Sequence, residues 1–195
     1  MDCNNSKKQR RALLLIDYTV DFVADDGKLP VGDPGQRIEN AIAEKIETTL
    51  NSGDYLFIIN DLHEEKDLNH PEHKLFPPHN LKGSSGRNLY GSIHPLVSQM
   101  ENKHYDQIHW MDKRRYSAFC GTPLELILRQ EKIEVLELAG VCTDICVLHT
   151  AIDAYNKGFQ AIVDEKMVAS FNEEAHRVAL EHIQNVLGFK VNKTL

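Results

Sequence analysis

Five short apolar runs punctuate the chain, several of them apolar at consecutive positions: ALLLID (12–17), YLFIIND (55–61), QIHWMDK (107–113), VLELAGV (135–141) and QAIVDE (160–165). A strand with one wet face alternates apolar and polar residues, whereas a continuous run needs cover on both faces. Longer amphipathic stretches separate the runs. Ile38, Ile42, Ile46 and Leu50 recur at helical spacing and stop at Asn51-Ser52-Gly53. Thr122, Pro123 and Glu125 spell a helix start with a capping box, and Asn172 opens a helix carrying Val178, Leu180, Ile183 and Leu187 towards Gly188. This alternation predicts an α/β protein, three layers (α/β/α) around a mostly parallel central sheet.

With 195 residues, 42% hydrophobic and 26% charged, the chain suits one domain with a sizeable core. We expect a polar, flexible leader over residues 1–10 and a single domain over 11–195. A net charge of -7 without a basic stripe argues against nucleic acid as a partner. The run LLLI is too short to span a membrane, and MDCNNSKKQRR lacks a signal-like cleavage site. These features predict a cytoplasmic protein whose Cys3, Cys120, Cys142 and Cys146 are thiols.

Ligands of open parallel sheets bind beyond the carboxyl ends of the strands. Those ends carry Asp17, Asp61 with His63, Lys113, and the turn GVCTDIC at 140–146. Thr143 and Asp144 read as a helix start, so Cys146 falls in the first turn, where backbone N–H groups favour a thiolate. An ammonium at Lys113 would favour it further, and a carboxylate at Asp17 could carry protons between nucleophile, leaving group and water. The plain alternatives are a cysteine acting as a small buried hydrophobe, an aspartate capping a turn, and a solvated cluster Lys113-Arg114-Arg115. Cys142, which follows the apolar strand directly, fits the buried reading better than Cys146 does. The pair C-x-x-x-C also permits a thiol redox or zinc-binding module without hydrolase activity.

Residues 62–109 have no clean period and hold seven histidines, which reads as a long ordered loop region of functional interest. In D-L-H at 61–63, alternate residues of an extended segment can point the same way. His79 in FPPHN and Glu72 in HPEHK are further ligand candidates, with His70 and His73 as competitors. Histidines and carboxylates without thiolates suit zinc, manganese or iron. Chance pairing among ten histidines is the competing explanation.

Taken together, LLIDYTVDF, DLH, HPEHKLFPPHN, GRNLYG, WMDKRRYSAF and GVCTDICVLHTAIDAY resemble the nicotinamidases of the isochorismatase-like cysteine hydrolases, from about residue 11 to about residue 190. The resemblance implies a Cys-Asp-Lys amidase that converts nicotinamide, and by extension pyrazinamide, to the acid and ammonia in NAD salvage. Cys146 matches the nucleophile, Asp17 the proton shuttle and Lys113 the third member. The Val141–Cys142 bond falls where that family has a non-prolyl cis peptide, and the backbone N–H groups of Cys142 and Cys146 match its oxyanion hole.

The same matching makes Asp61, His63 and His79 ligands of one divalent ion, zinc first among the three metals, with the remaining ligand near Glu72. Many members have histidine there, and a subset has glutamate. It also makes Phe22, Phe76 and Tyr116 walls for a flat pyridine ring, although each can be plain core, Phe76 most readily. Where many relatives carry D-x-Q-N-D-F, this chain has DYTVDF. The implied partner is the small substrate alone, in a homo-oligomer. A sister amidohydrolase for another small amide or carbamoyl compound is the nearest alternative, separable by its lack of the metal set.

Overall fold

The structure, a computed structural model, describes residues 9–193. The leader expected over 1–10 therefore lies largely outside the described residues. Six strands form one sheet: β1 (Arg11–Ile16), β2 (Tyr55–Asp61), β3 (Ile108–Lys113), β4 (Val135–Val141), β5 (Gln160–Ala169) and β6 (Lys190–Asn192), in the spatial order β3-β2-β1-β4-β5-β6. Every pairing is parallel.

Strand pleating explains the continuous apolar runs. In β1, Ala12, Leu14 and Ile16 face one core with Leu124, Leu128, Ala151, Leu180 and Ile183, while Leu13 and Leu15 face the other with Ile42, Ile46, Ile93 and Val97. The first core lies under α5 (Leu124–Gln130), α6 (Leu148–Asn156) and α7 (Glu173–Asn185). The second lies under α1 (Val20–Val23), α3 (Glu39–Asn51) and α4 (Ile93–His104), with the short α2 (Asp33–Arg37) leading into α3. None of the described helices is long and apolar enough to cross a membrane.

The expected strands and helices are present, with local corrections. Asn172 caps α7 by accepting from Ala175 N at 3.0 Å, but Val178 is 49% exposed and belongs to the solvent face. Helix α5 begins one residue later than expected. Thr122 Oγ1 accepts from Leu124 N at 3.3 Å, while Glu125, instead of closing a capping box, pairs with Lys157 at 2.7 Å. The loop expected over 62–109 is interrupted by α4, so its irregular part ends near residue 92. Strand β5 runs four residues beyond Glu165, and β6 lacked a long enough apolar run to be recognised.

The order of strands reverses between β1 and β4, because the chain runs outward from β1 to β3 and then returns to β4 on the other side. A crevice at the carboxyl ends of two such strands is where parallel sheets bind ligands. Strand approach there is unusually close at Gly140 (φ 112), where a Cβ would stand 1.9 Å from Ile16 O. Only glycine fits that contact.

Candidate active site and metal centre

Asp17 leaves β1 in the left-handed region (φ 54). That conformation costs a non-glycine residue about 1 kcal/mol or more, and fixed partners must hold it. Asp17 N donates to Ile59 O at 3.0 Å, and Asp17 Oδ1 accepts from Asp61 N at 2.7 Å. The end of β1 is thereby tied to the end of β2.

Lys113, the last residue of β3, is fully buried. Its Nζ lies 2.7 Å from Asp17 Oδ2, 3.1 Å from Asp61 Oδ1 and 3.4 Å from Cys146 Sγ. Burial alone would strip its proton, yet Asp17 and Asp61 hold its pKa well above the usual lysine range. Asp61, resisting its own burial, is drawn well below the carboxylate range by Lys113 and by the hydrogen bond with His63.

The turn after β4 is a π-helical turn over Thr143–Val147 that continues into α6, in place of the α-helical start expected from the sequence. Val147 N reaches back five residues to Cys142 O at 3.2 Å. The Val141–Cys142 peptide bond is cis. Cys146 is 6% exposed and is buried close to Asp17 and Lys113.

Burial pushes the Cys146 thiol well up, the Asp17 carboxylate adds to this, and Lys113 opposes it. Burial likewise raises Asp17, against Lys113. Burial and Asp17 thus work against the thiolate that the helix start and Lys113 favour. The Cys146 thiol, the Asp17 carboxyl and the Lys113 ammonium form one buried group.

Asp61, His63, Glu72 and His79 are all buried, and one ligand atom from each lies within 4.8 Å of every other. His79 Nδ1 donates to Pro77 O at 2.8 Å, which leaves Nε2 as the lone-pair nitrogen facing the group. That Nε2 is buried without a hydrogen-bond partner, 3.7 Å from both Asp61 Oδ2 and Glu72 Oε2. An orphaned imidazole lone pair facing two carboxylates fits a divalent cation. His70 stands outside the group: its Nε2 donates to Arg114 O at 2.9 Å and its Nδ1 accepts from Glu72 N at 3.3 Å, so both ring nitrogens are occupied. His73 is exposed.

A narrow cavity opens against both groups, walled by Phe22, Phe76 and Tyr116, with Cys142, Cys146, Asp61 and Glu72 in its lining. Leu29, Ile145 and Phe171 complete it and were not anticipated. Phe171 was within reach of the strand-end rule, since it lies two residues beyond Ala169. The charged DEK at 164–166 made β5 seem to stop early. Leu29 and Ile145 carry no comparable sequence signal.

The fold and this site define an isochorismatase-like hydrolase. Residues 11–191 match the isochorismatase domain family, and the chain belongs to that family. It is similar to the structure of nicotinamidase/pyrazinamidase PncA from Bacillus subtilis, with a TM-score of 0.91 and 49% identity over 94% of this chain and 100% of that one. The pyrazinamidase/nicotinamidase of Streptococcus mutans UA159 gives a TM-score of 0.89 at 54% identity, covering 93% of this chain and 99% of that one. The pyrazinamidase of Pyrococcus horikoshii, in complex with zinc, gives 0.81 at 26% identity over 95% and 99%.

Proposed function

We propose that residues 11–195 act as one nicotinamidase domain that hydrolyses nicotinamide, and pyrazinamide as a close analogue, to the acid and ammonia. The observation that supports this above all is the cavity itself. Its apolar walls suit a flat ring, and its floor presents Cys146 Sγ, 3.4 Å from Lys113 Nζ, beside the carboxylates of Asp61 and Glu72. The identity to named nicotinamidases supports the choice of substrate. We place the reaction in NAD salvage, in the cytoplasm, and in a homo-oligomer.

In this reading Asp17 takes the proton from the Cys146 thiol as sulfur attacks the carboxamide carbon. The backbone N–H groups of Cys142 and Cys146 receive the oxyanion. Asp17 returns the proton to the departing nitrogen, ammonia leaves, and a thioester remains on Cys146. Asp17 then draws a proton from water, the oxygen attacks the thioester carbon, and the released sulfur recovers its proton from Asp17. Lys113 keeps its charge throughout and limits the rise of negative charge shared by Asp17 and Cys146. Asp61, His63, Glu72 and His79 would hold the divalent ion, zinc by analogy with the Pyrococcus horikoshii complex. Bound there, it would supply a Lewis-acid contact for the ring nitrogen and so orient the substrate.

Two experiments test this. Replacing His63, Glu72 or His79 by Ala is expected to lower both bound metal and turnover, while His73→Ala leaves both intact. Full metal content in Glu72→Ala would return the fourth position to another residue. In metal-loaded protein, benzamide, which lacks the ring nitrogen, is expected to lose about tenfold or more in kcat/KM against nicotinamide. Pyrazinamide, which keeps a nitrogen at the corresponding position, is expected to remain a good substrate. Equal ammonia release from nicotinamide and benzamide would redirect the assignment to a broader amidase.

A further inference from the structure

The turn that follows Asp17 contains a second buried carboxylate, Asp21, which takes no part in the chemistry above. It is 6% exposed and no lysine, arginine or histidine pairs with it among the described ion pairs. Its partners are backbone amides. Asp21 Oδ2 accepts from Asn80 N at 2.7 Å, Asp21 Oδ1 accepts from Lys28 N at 3.4 Å, and Asp21 O accepts from Leu29 N at 3.0 Å. Gly86 closes over it so tightly that a Cβ there would stand 2.2 Å from Oδ2.

Asn80 is the residue through which this grip reaches the metal group. It follows His79 directly, is fully buried, and adopts the left-handed region (φ 43) that a side-chain-bearing residue keeps only when held. Three separate bonds hold it. Asp21 takes its N–H, Thr19 Oγ1 donates to its side-chain oxygen at 3.0 Å, and its carbonyl accepts from His63 N at 3.1 Å. A single residue therefore connects the backbone of one histidine of the group to that of the other, and two side chains from the Asp17 turn anchor it. Thr19, which stands where many relatives have glutamine, is one of those anchors.

We infer that Asp21 is a positioning residue of the metal centre, acting through Asn80 to set His63 and His79 at ligand spacing, and through Lys28 to hold the segment that leads to Leu29 at the cavity mouth. This rests on the metal-centre reading above. A carboxylate is required because it meets two N–H donors. Asparagine of the same shape offers one acceptor and one NH2, so one amide would face a donor. The charge-assisted bond to Asn80 is also stronger than a neutral one.

The test is zinc binding by the full chain, measured by competition with a chelator, together with the visible spectrum of the cobalt(II)-substituted protein. Asp21→Asn is expected to weaken zinc binding by about tenfold or more, the scale at which outer-shell partners act on metal sites, and to alter the cobalt bands. Thr19→Val, which removes only the side-chain anchor, is expected to give a smaller loss in the same direction. Ile183→Val, on the opposite core, lowers stability alone and is expected to leave zinc affinity and the cobalt spectrum unchanged.

Wild-type affinity and spectrum in Asp21→Asn would overturn the inference. Should that variant fail to fold, wild-type affinity in Thr19→Val would do so. Failure of the wild-type chain itself to bind zinc or cobalt would remove the metal-centre reading and this inference with it.

Discussion

Cys146→Ala is expected to abolish ammonia release from nicotinamide, lowering kcat/KM by on the order of 10⁴-fold or more, the scale seen when a hydrolase loses its nucleophile. Cys142→Ala is expected to keep most of the activity. The two thiols differ in what surrounds them. Cys146 lies beside the Asp17 carboxylate, its proposed proton acceptor, and has the Lys113 ammonium at 3.4 Å. Burial pushes the Cys142 thiol up to about 12, the nearby Asp144 and Asp17 add to it, and hydrogen bonding to Ser170 and to the Phe171 backbone opposes them. In the proposed mechanism Cys142 contributes only its backbone, so removing its sulfur leaves the oxyanion contact in place. Steady-state assays on both variants, with circular dichroism to check the fold, decide the matter. Loss confined to the Cys142 variant would reverse the assignment.

Lys113→Met is expected to cost both catalysis and folding stability. Removing one partner of a buried ionic group leaves the others uncompensated, a loss of about 3–5 kcal/mol. Here two carboxylates, Asp17 and Asp61, would face each other without the ammonium that lies 2.7 and 3.1 Å from them.

The pH dependence has a defined sign. In the native protein burial already raises Asp17 against the pull of Lys113. Without Lys113 the folded-state carboxyls rise above their unfolded values, and the folded protein binds more protons than the unfolded one. Stability of the variant should therefore fall as pH rises through the folded pKa values and recover in mild acid. Denaturant unfolding of Lys113→Met across pH, with Lys113→Met/Asp61→Asn as a partial rescue, measures this. A variant as stable as wild type at neutral pH would show that the ammonium is not needed to offset the two carboxylates.

Much of this arrangement is legible in the residues because the strands are buried on both faces. That burial forces apolar runs, and each run ends visibly where a polar residue enters the ligand edge, as at Asp17, Asp61 and Lys113. The metal group was harder to choose. Glu72, His70 and His73 sit within four positions of each other, and only folding shows that both His70 nitrogens are engaged elsewhere while Glu72 turns inward. The electrostatics around Cys146 are only half legible in local features. Helix and lysine fields are visible in sequence, whereas the depth of burial and the proximity of Asp17 from 129 positions away are not. Phe171 was missed because three charged residues inside β5 hid the true end of the strand.

The reversal of strand order between β1 and β4 also bears on what can be inherited or transplanted. Lys113 and Cys146 are 33 positions apart, Lys113 and Asp61 are 52 apart, and Asp61 and Asp17 are 44 apart. No loop graft could carry even two of these side chains to another scaffold in working register. The heritable unit of this chemistry is the ordered sheet from β1 to β4, while the mouth, built by Leu29, Phe76 and Phe171 on separate connections, can vary in substrate fit without disturbing the reacting groups.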